Sequence, residues 1–137
     1  VIVNVTSSAT RLPMPMVAVY TASKTAISGF TTSLAHELLD FGIRVKLVEP
    51  GYGPTTRFTA NSGPRMAQLI SEPYAALAQR IFATYAEGPT LFTTEADVAE
   101  GVWRAVHDSS NEVHFPAGPD AVAMVREAAL QASKSRA

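Results

Sequence analysis

Two short apolar runs on either side of one long helix-compatible stretch constrain this chain more than any other feature. Val1 to Val5 (Val-Ile-Val-Asn-Val) is β-branched and almost continuously apolar, the pattern of a strand buried on both faces of a parallel sheet. Ile43 to Val48 (Ile-Arg-Val-Lys-Leu-Val) reads as a second strand, ended by Glu49-Pro50-Gly51. Between them, Val17 to Leu39 predicts one long helix with apolar positions at Ala22, Ala26, Phe30, Leu34 and Leu38, closed by Asp40-Phe41-Gly42 with Gly42 as a left-handed cap. Pro13 and Pro15 keep the preceding stretch out of regular helix. A strand, a helix and a strand in this order make a right-handed parallel crossover, so the chain is expected to be α/β with helices on both faces of the sheet.

The remainder extends that pattern. From Gly51 to about Gly88 the sequence loosens into turn residues and short helical stretches, punctuated by Pro54, Pro64, Pro73 and Pro89, and Thr55 to Gly88 is expected to act as a mobile lid. Thr94-Glu95-Ala96-Asp97 is a capping box with Asp in its last position, and it opens a helix through about Val106 in which Trp103 is expected to be a core residue. Glu112 to Phe115 reads as a third strand and Asp120 to Ala132 as a final helix, leaving Ser133 to Ala137 as a frayed tail. No repeat or linker divides the chain, so residues 1–137 are read as one domain.

Composition narrows the function classes. A net charge of −1 offers no basic surplus for phosphate backbones, which argues against nucleic-acid or membrane-surface partners and favours a small-molecule one. There is no cysteine, so disulfides, thiolate catalysis and cysteine-ligated metals are excluded. His36, His107 and His114 are scattered without metal-ligand spacing, and no metal site is expected. No apolar run approaches a membrane span. The cytoplasm is taken as the default compartment.

In open parallel sheets ligands bind beyond the carboxyl ends of the strands, where the polar turns after Val5 and after Val48 both fall. Tyr20 and Lys24 stand four positions apart on the long helix, so their β-carbons lie about 5 to 6 Å apart on one face. A lysine ammonium so placed favours the phenolate form of its neighbour and suits it to general acid/base work. Such pairs are common as solvated helical neighbours. The string Tyr20-Thr21-Ala22-Ser23-Lys24, on the helix after a strand ending Asn4-Val5-Thr6-Ser7-Ser8, is more specific. It resembles the Tyr-x-x-x-Lys signature of the short-chain dehydrogenases/reductases, in its Tyr-x-Ala-Ser-Lys form. That family's catalytic serine, thirteen positions before the tyrosine, corresponds to Ser7, with Ser8 as the alternative donor. Pro50-Gly51-Tyr52-Gly53-Pro54-Thr55 resembles the family's Pro-Gly-x-x-x-Thr segment beside the nicotinamide, departing from it at Gly53, where a branched residue is frequent.

The resemblance covers nearly the whole chain. It implies a Rossmann-like, doubly wound parallel sheet, of which residues 1–137 would form the C-terminal, catalytic half, a single partial domain. It implies an NAD- or NADP-dependent oxidoreductase that moves hydride between a nicotinamide and a carbonyl or alcohol substrate. Tyr20 would be the acid/base, Ser7 would hydrogen-bond the substrate oxygen, and Lys24 would tune Tyr20 and hold the cofactor ribose. Pro50, Gly51, Gly53 and Thr55 would flank the nicotinamide. A homodimer or homotetramer is implied for the complete protein, with Ala22, Phe30 and Leu34 serving association as well as the core. The family's glycine-rich phosphate loop and Asn-Asn-Ala-Gly segment are not in this sequence. Together with the start directly inside an apolar run, this leads to the expectation of a fragment that alone neither binds the cofactor nor turns over. Gly51-x-Gly53 is not a dinucleotide fingerprint, since Thr56 stands at the third glycine position. A serine hydrolase is disfavoured because no Gly-x-Ser-x-Gly elbow is present. The non-enzymatic alternative is an oligomerisation module.

Overall fold

A computed structural model describes residues 1–12, 14–86 and 90–135. The expectations placed on Pro13, Gly88, Pro89 and the last two residues of the tail lie outside the described residues. Three strands, β1 (Ile2–Val5), β2 (Val45–Pro50) and β3 (His114–Ala117), form an all-parallel sheet in the order β1-β2-β3. The register pairs Val5 with Val48 and Pro50 with Ala117, so all three carboxyl ends open on one side of the sheet. The long helix α1 (Ala18–Leu38) connects β1 to β2; a 3₁₀ turn, Leu39–Phe41, continues it, and Gly42 closes that turn at φ 67°, in the left-handed region expected of a cap. The Ile43 N–H turns back to Leu38 O at 3.2 Å, so β2 begins two residues later than its apolar pattern does.

Side-chain alternation shows the two layers of helix. Val3 packs with Val48, Phe115 and Ala117 against Ala105 of α4 (Glu95–His107). Its neighbour Asn4 points to the other face and donates to Thr31 Oγ1 of α1 at 2.9 Å. The sheet is therefore doubly wound. Burial on both faces holds for β2, whose residues Val45 to Glu49 are all buried, but not for β1. Ile2 and Val5 are 38% and 45% exposed, and among the described residues β1 pairs on one edge only, with β2.

Other expectations are corrected by packing. Along α1, Thr31 rather than an apolar residue is fully buried, and Phe30 is 60% exposed, because the Asn4–Thr31 bond accompanies a rotation that turns Ala22, Ala26 and Phe30 outward. Trp103 is not a core residue but 61% exposed, stacked on His107 with ring centroids 4.4 Å apart. Small residues seat α4: a β-carbon at Gly101 would come within 2.7 Å of Ala117 Cβ, and Trp103, two positions on, projects away from that face. The third strand starts at His114 instead of Glu112, because the carbonyls of Ser110 and Glu112 turn to the buried Lys46 ammonium, which also pairs with Asp108 at 2.8 Å. The region after Gly51 is more regular than its turn residues suggest. It holds α2 (Phe58–Leu69) and α3 (Ala75–Ala86), with Pro64 inside α2 instead of at its end. The last helix, α5, spans Pro119–Lys134.

Candidate active site

The site is built at the carboxyl end of the sheet, where the segments after β1 and β2 and the start of α1 converge. After β1, Ser7 caps a 3₁₀ turn (Ser8–Thr10), its hydroxyl accepting from Ala9 N–H at 3.2 Å. That turn packs against α1. Ser7 is half-buried, whereas Ser8 is only 2% exposed, so of the two adjacent serines Ser7 is the more accessible. On α1, Lys24 Nζ lies 5.8 Å from the centre of the Tyr20 ring, the helical neighbour relationship that the four-residue spacing predicts. Phe58, at the start of α2, meets the same ring edge-on at 5.8 Å between centroids. The Tyr85 hydroxyl at the end of α3 donates to Pro15 O at 3.1 Å, which ties the α2–α3 region back to the entrance of α1.

The turn after β2 is held from several sides. Gly51 N–H bonds Ala117 O and Thr93 Oγ1, both at 3.2 Å, and Tyr52 N–H donates to the Asp120 carboxylate at 2.6 Å. A β-carbon at Gly51 would overlap that carboxylate, which is the physical reason for glycine after Pro50. At Gly53 the missing side chain does not leave a loose wall: an added β-carbon would sit 2.9 Å from Thr56 Cγ2, so Thr56 already fills the space. Thr55 commits its hydroxyl proton to Glu95 Oε2 at 2.9 Å, leaving its oxygen free only to accept.

A buried charge cluster links the two turns. Glu49, fully buried at the end of β2, receives both Arg11 Nε (2.8 Å) and Arg11 Nη2 (2.9 Å) and lies 3.2 Å from His114 Nδ1. Burial pushes its carboxyl up, but the hydrogen bond from His114, those from Arg11 and the charges of both outweigh burial and hold it below the usual carboxylate range. The Glu49 hydrogen bond raises the Arg11 guanidinium in turn. Sequence reasoning missed Glu49, Arg11, Thr93 and Asp120, whose partners lie 24 to 68 positions away along the chain. The one local hint was a pair of glycines, Gly51 and Gly118, packed against Asp120 and Thr93.

Residues 1–67 match the family profile described as short chain dehydrogenase. An uncharacterized oxidoreductase of Schizosaccharomyces pombe is 29% identical over 118 residues, 85% of this chain and 48% of that protein. A solved short-chain dehydrogenase from Streptomyces avermitilis superimposes with a TM-score of 0.70 at 25% identity, covering 98% of this chain and 47% of that one. The chain is thus similar to short-chain dehydrogenases, in sequence over residues 1–67 and in fold over nearly its whole length. An NAD+-bound xylitol dehydrogenase shares the fold at a TM-score of 0.59 and 24% identity, over 85% of this chain and 46% of its own. The chain spans about half the length of the relatives it matches, and its parallel sheet is Rossmann-like, as in the short-chain dehydrogenase structure it superimposes on. Among the described residues no helix is long and apolar enough to cross a membrane, and no group of three or more His, Cys, Asp or Glu side chains is placed to hold a metal.

Proposed function

We propose that this chain carries the reacting side of an NAD- or NADP-dependent oxidoreductase acting on a small carbonyl or alcohol substrate. The observation that carries the reading is the Tyr20–Lys24 pair, with Lys24 Nζ 5.8 Å from the Tyr20 ring on a helix packed against the Ser7 turn, at the carboxyl end of a parallel sheet. The NAD+ held by the xylitol dehydrogenase of the same fold supports the cofactor class. The nicotinamide supplies the hydride chemistry when it is bound. In the reducing direction Tyr20 delivers its hydroxyl proton to the substrate oxygen as the carbonyl carbon gains hydride, and in the oxidising direction it takes that proton back. The Ser7 hydroxyl donates to the same oxygen as negative charge builds on it. Lys24, one helical turn from Tyr20 with its Nζ 5.8 Å from that ring, would hold the ribose hydroxyls.

The residues after β2 fit a nicotinamide carboxamide. Gly53 N–H forms no hydrogen bond among the described residues, and the Thr55 oxygen retains acceptor capacity, so one donor and one acceptor are offered to an amide that carries both. Pro50 and Gly51 complete that wall. No glycine-rich pyrophosphate turn occurs in residues 1–137, and in this reading they form a partial domain whose dinucleotide-binding half is supplied outside them.

The test is Tyr20→Phe in the active protein, which removes the proton donor and keeps the ring that meets Phe58. Turnover is expected to fall by about two to four decades, with NADH or NADPH affinity unchanged. Turnover near that of the parent overturns the assignment. Exposed apolar residues on α1, Val19 (86%), Ile27 (37%) and Phe30 (60%), support association of the complete protein as a homodimer or homotetramer through this helix, whether or not the chain is catalytic.

A further inference from the structure

The turn from Gly51 to Thr55 is held from a part of the chain that has no place in the proposed chemistry. Asp120, in the first turn of α5, is 6% exposed, and Thr93, just before α4, is 1% exposed. The Asp120 carboxylate accepts from Tyr52 N–H with one oxygen (2.6 Å) and from the Thr93 hydroxyl with the other (2.5 Å). Thr93 Oγ1 in turn accepts from Gly51 N–H at 3.2 Å, and Thr93 N–H donates to Tyr52 O at 2.8 Å. Two consecutive backbone amides of the turn are thus satisfied by one carboxylate and one hydroxyl. Both glycines at the ends of this arrangement are needed for it. A β-carbon at Gly51 would overlap the Asp120 carboxylate, and one at Gly118, which sits at φ +97°, would overlap Thr93.

We propose that Asp120 and Thr93 are positioning residues: a buried clasp that fixes the Gly51–Thr55 turn in the shape that receives the nicotinamide carboxamide. The inference rests on the proposed cofactor site. Neither residue touches cofactor or substrate. The clasp acts by pre-paying the ordering of the turn, so its loss weakens cofactor binding and leaves the proton-transfer group Tyr20 untouched.

The hydrogen-bond inventory predicts which substitutions are tolerated. Asp120→Ala leaves Tyr52 N–H and the Thr93 hydroxyl without their acceptor. Asp120→Asn keeps one oxygen for Tyr52 N–H and turns its NH₂ toward Thr93 Oγ1, whose proton then goes to Ala117 O, already 3.1 Å away. Thr93→Val keeps the shape of the side chain and deletes the oxygen.

The experiment measures KM for NADH and NADPH, kcat, and amide exchange at Gly51 and Tyr52 in the active protein and in all three variants. Asp120→Ala and Thr93→Val are expected to raise the cofactor KM at least tenfold, with kcat within threefold of the parent and faster exchange at both amides. Asp120→Asn should stay within threefold in KM, and the Asp120→Ala, Thr93→Val double variant should be no worse than the poorer single one. An unchanged cofactor KM in a folded Asp120→Ala or Thr93→Val variant overturns the proposal, as does additivity in the double variant. Should Asp120→Ala fail to fold, Thr93→Val and the Asp120→Asn rescue decide the matter by the same criteria. If the parent protein binds neither NADH nor NADPH, the proposed function fails instead. Amide exchange then still reads the clasp: unchanged protection of Gly51 and Tyr52 in the variants overturns it, and lost protection upholds it as the anchor of the turn.

Discussion

Replacing Glu49 by Gln tests the buried charge cluster that joins the turns after β1 and β2. The carboxylate is fully buried and takes a two-pronged bond from Arg11 and a third from His114. Gln keeps the volume but offers one acceptor oxygen, so the Arg11 fork loses a prong and the ion pair disappears. Breaking a buried pair costs about 3–5 kcal/mol, chiefly through the charge left behind. Here the side chains left behind, Arg11 and His114, are each 31% exposed and can turn to water, which puts the cost near the lower end, about 3 kcal/mol. For a chain of this size that lowers Tm by about 10 °C. Arg11→Ala is the sharper break, because it strands the fully buried carboxylate, and it should cost more than Glu49→Gln. Acid provides a second reading of the same interaction. Glu49 sits below its ordinary value in the folded state, so the unfolded chain binds its proton first. The stabilisation is complete above the unfolded carboxyl value of about 4.3 and is lost as pH falls through the lower folded value. Thermal melts of parent and Glu49→Gln followed by circular dichroism should therefore differ fully at pH 7 and converge below about pH 4.3. Equal melting at pH 7, a gap that persists unchanged into acid, or a smaller loss for Arg11→Ala than for Glu49→Gln would refute this account.

Two further outcomes follow from the geometry. Thr94→Ala removes the side chain that accepts from Asp97 N–H and bonds the Asp97 carboxylate, so stability measured by denaturant titration should fall by about 1 kcal/mol with the site unaffected. In the active protein Lys24→Met should slow turnover and weaken cofactor binding, while Ser7→Ala slows turnover alone. Equal binding defects in a fluorescence titration with NADH would contradict the separate roles given to these residues.

Much of the architecture was legible in the residues themselves because it depends on local pattern. The two apolar runs around a long helix yielded a parallel β1–β2 pair, and Gly42 adopts the left-handed cap conformation anticipated for it. The box opened by Thr94 and closed by Asp97 is present in both its bonds. Tyr20 and Lys24 are neighbours because four residues make about one helical turn. What tertiary structure decided was which face of each element is buried and which distant groups meet. Periodicity describes a helix up to rotation about its axis, and Thr31 faces the sheet because Asn4 on β1 offers it a hydrogen bond. Trp103 lies outside because Gly101 and Ala105 let α4 approach the strands more closely than a large side chain allows. The Glu49–Arg11 pair and the Asp120–Thr93 clasp join residues 38 and 27 positions apart, so no local spacing records them. A carboxylate is tolerated inside a protein only when partners satisfy it. Those partners come from other strands and turns, and only the folded chain brings them within hydrogen-bonding distance.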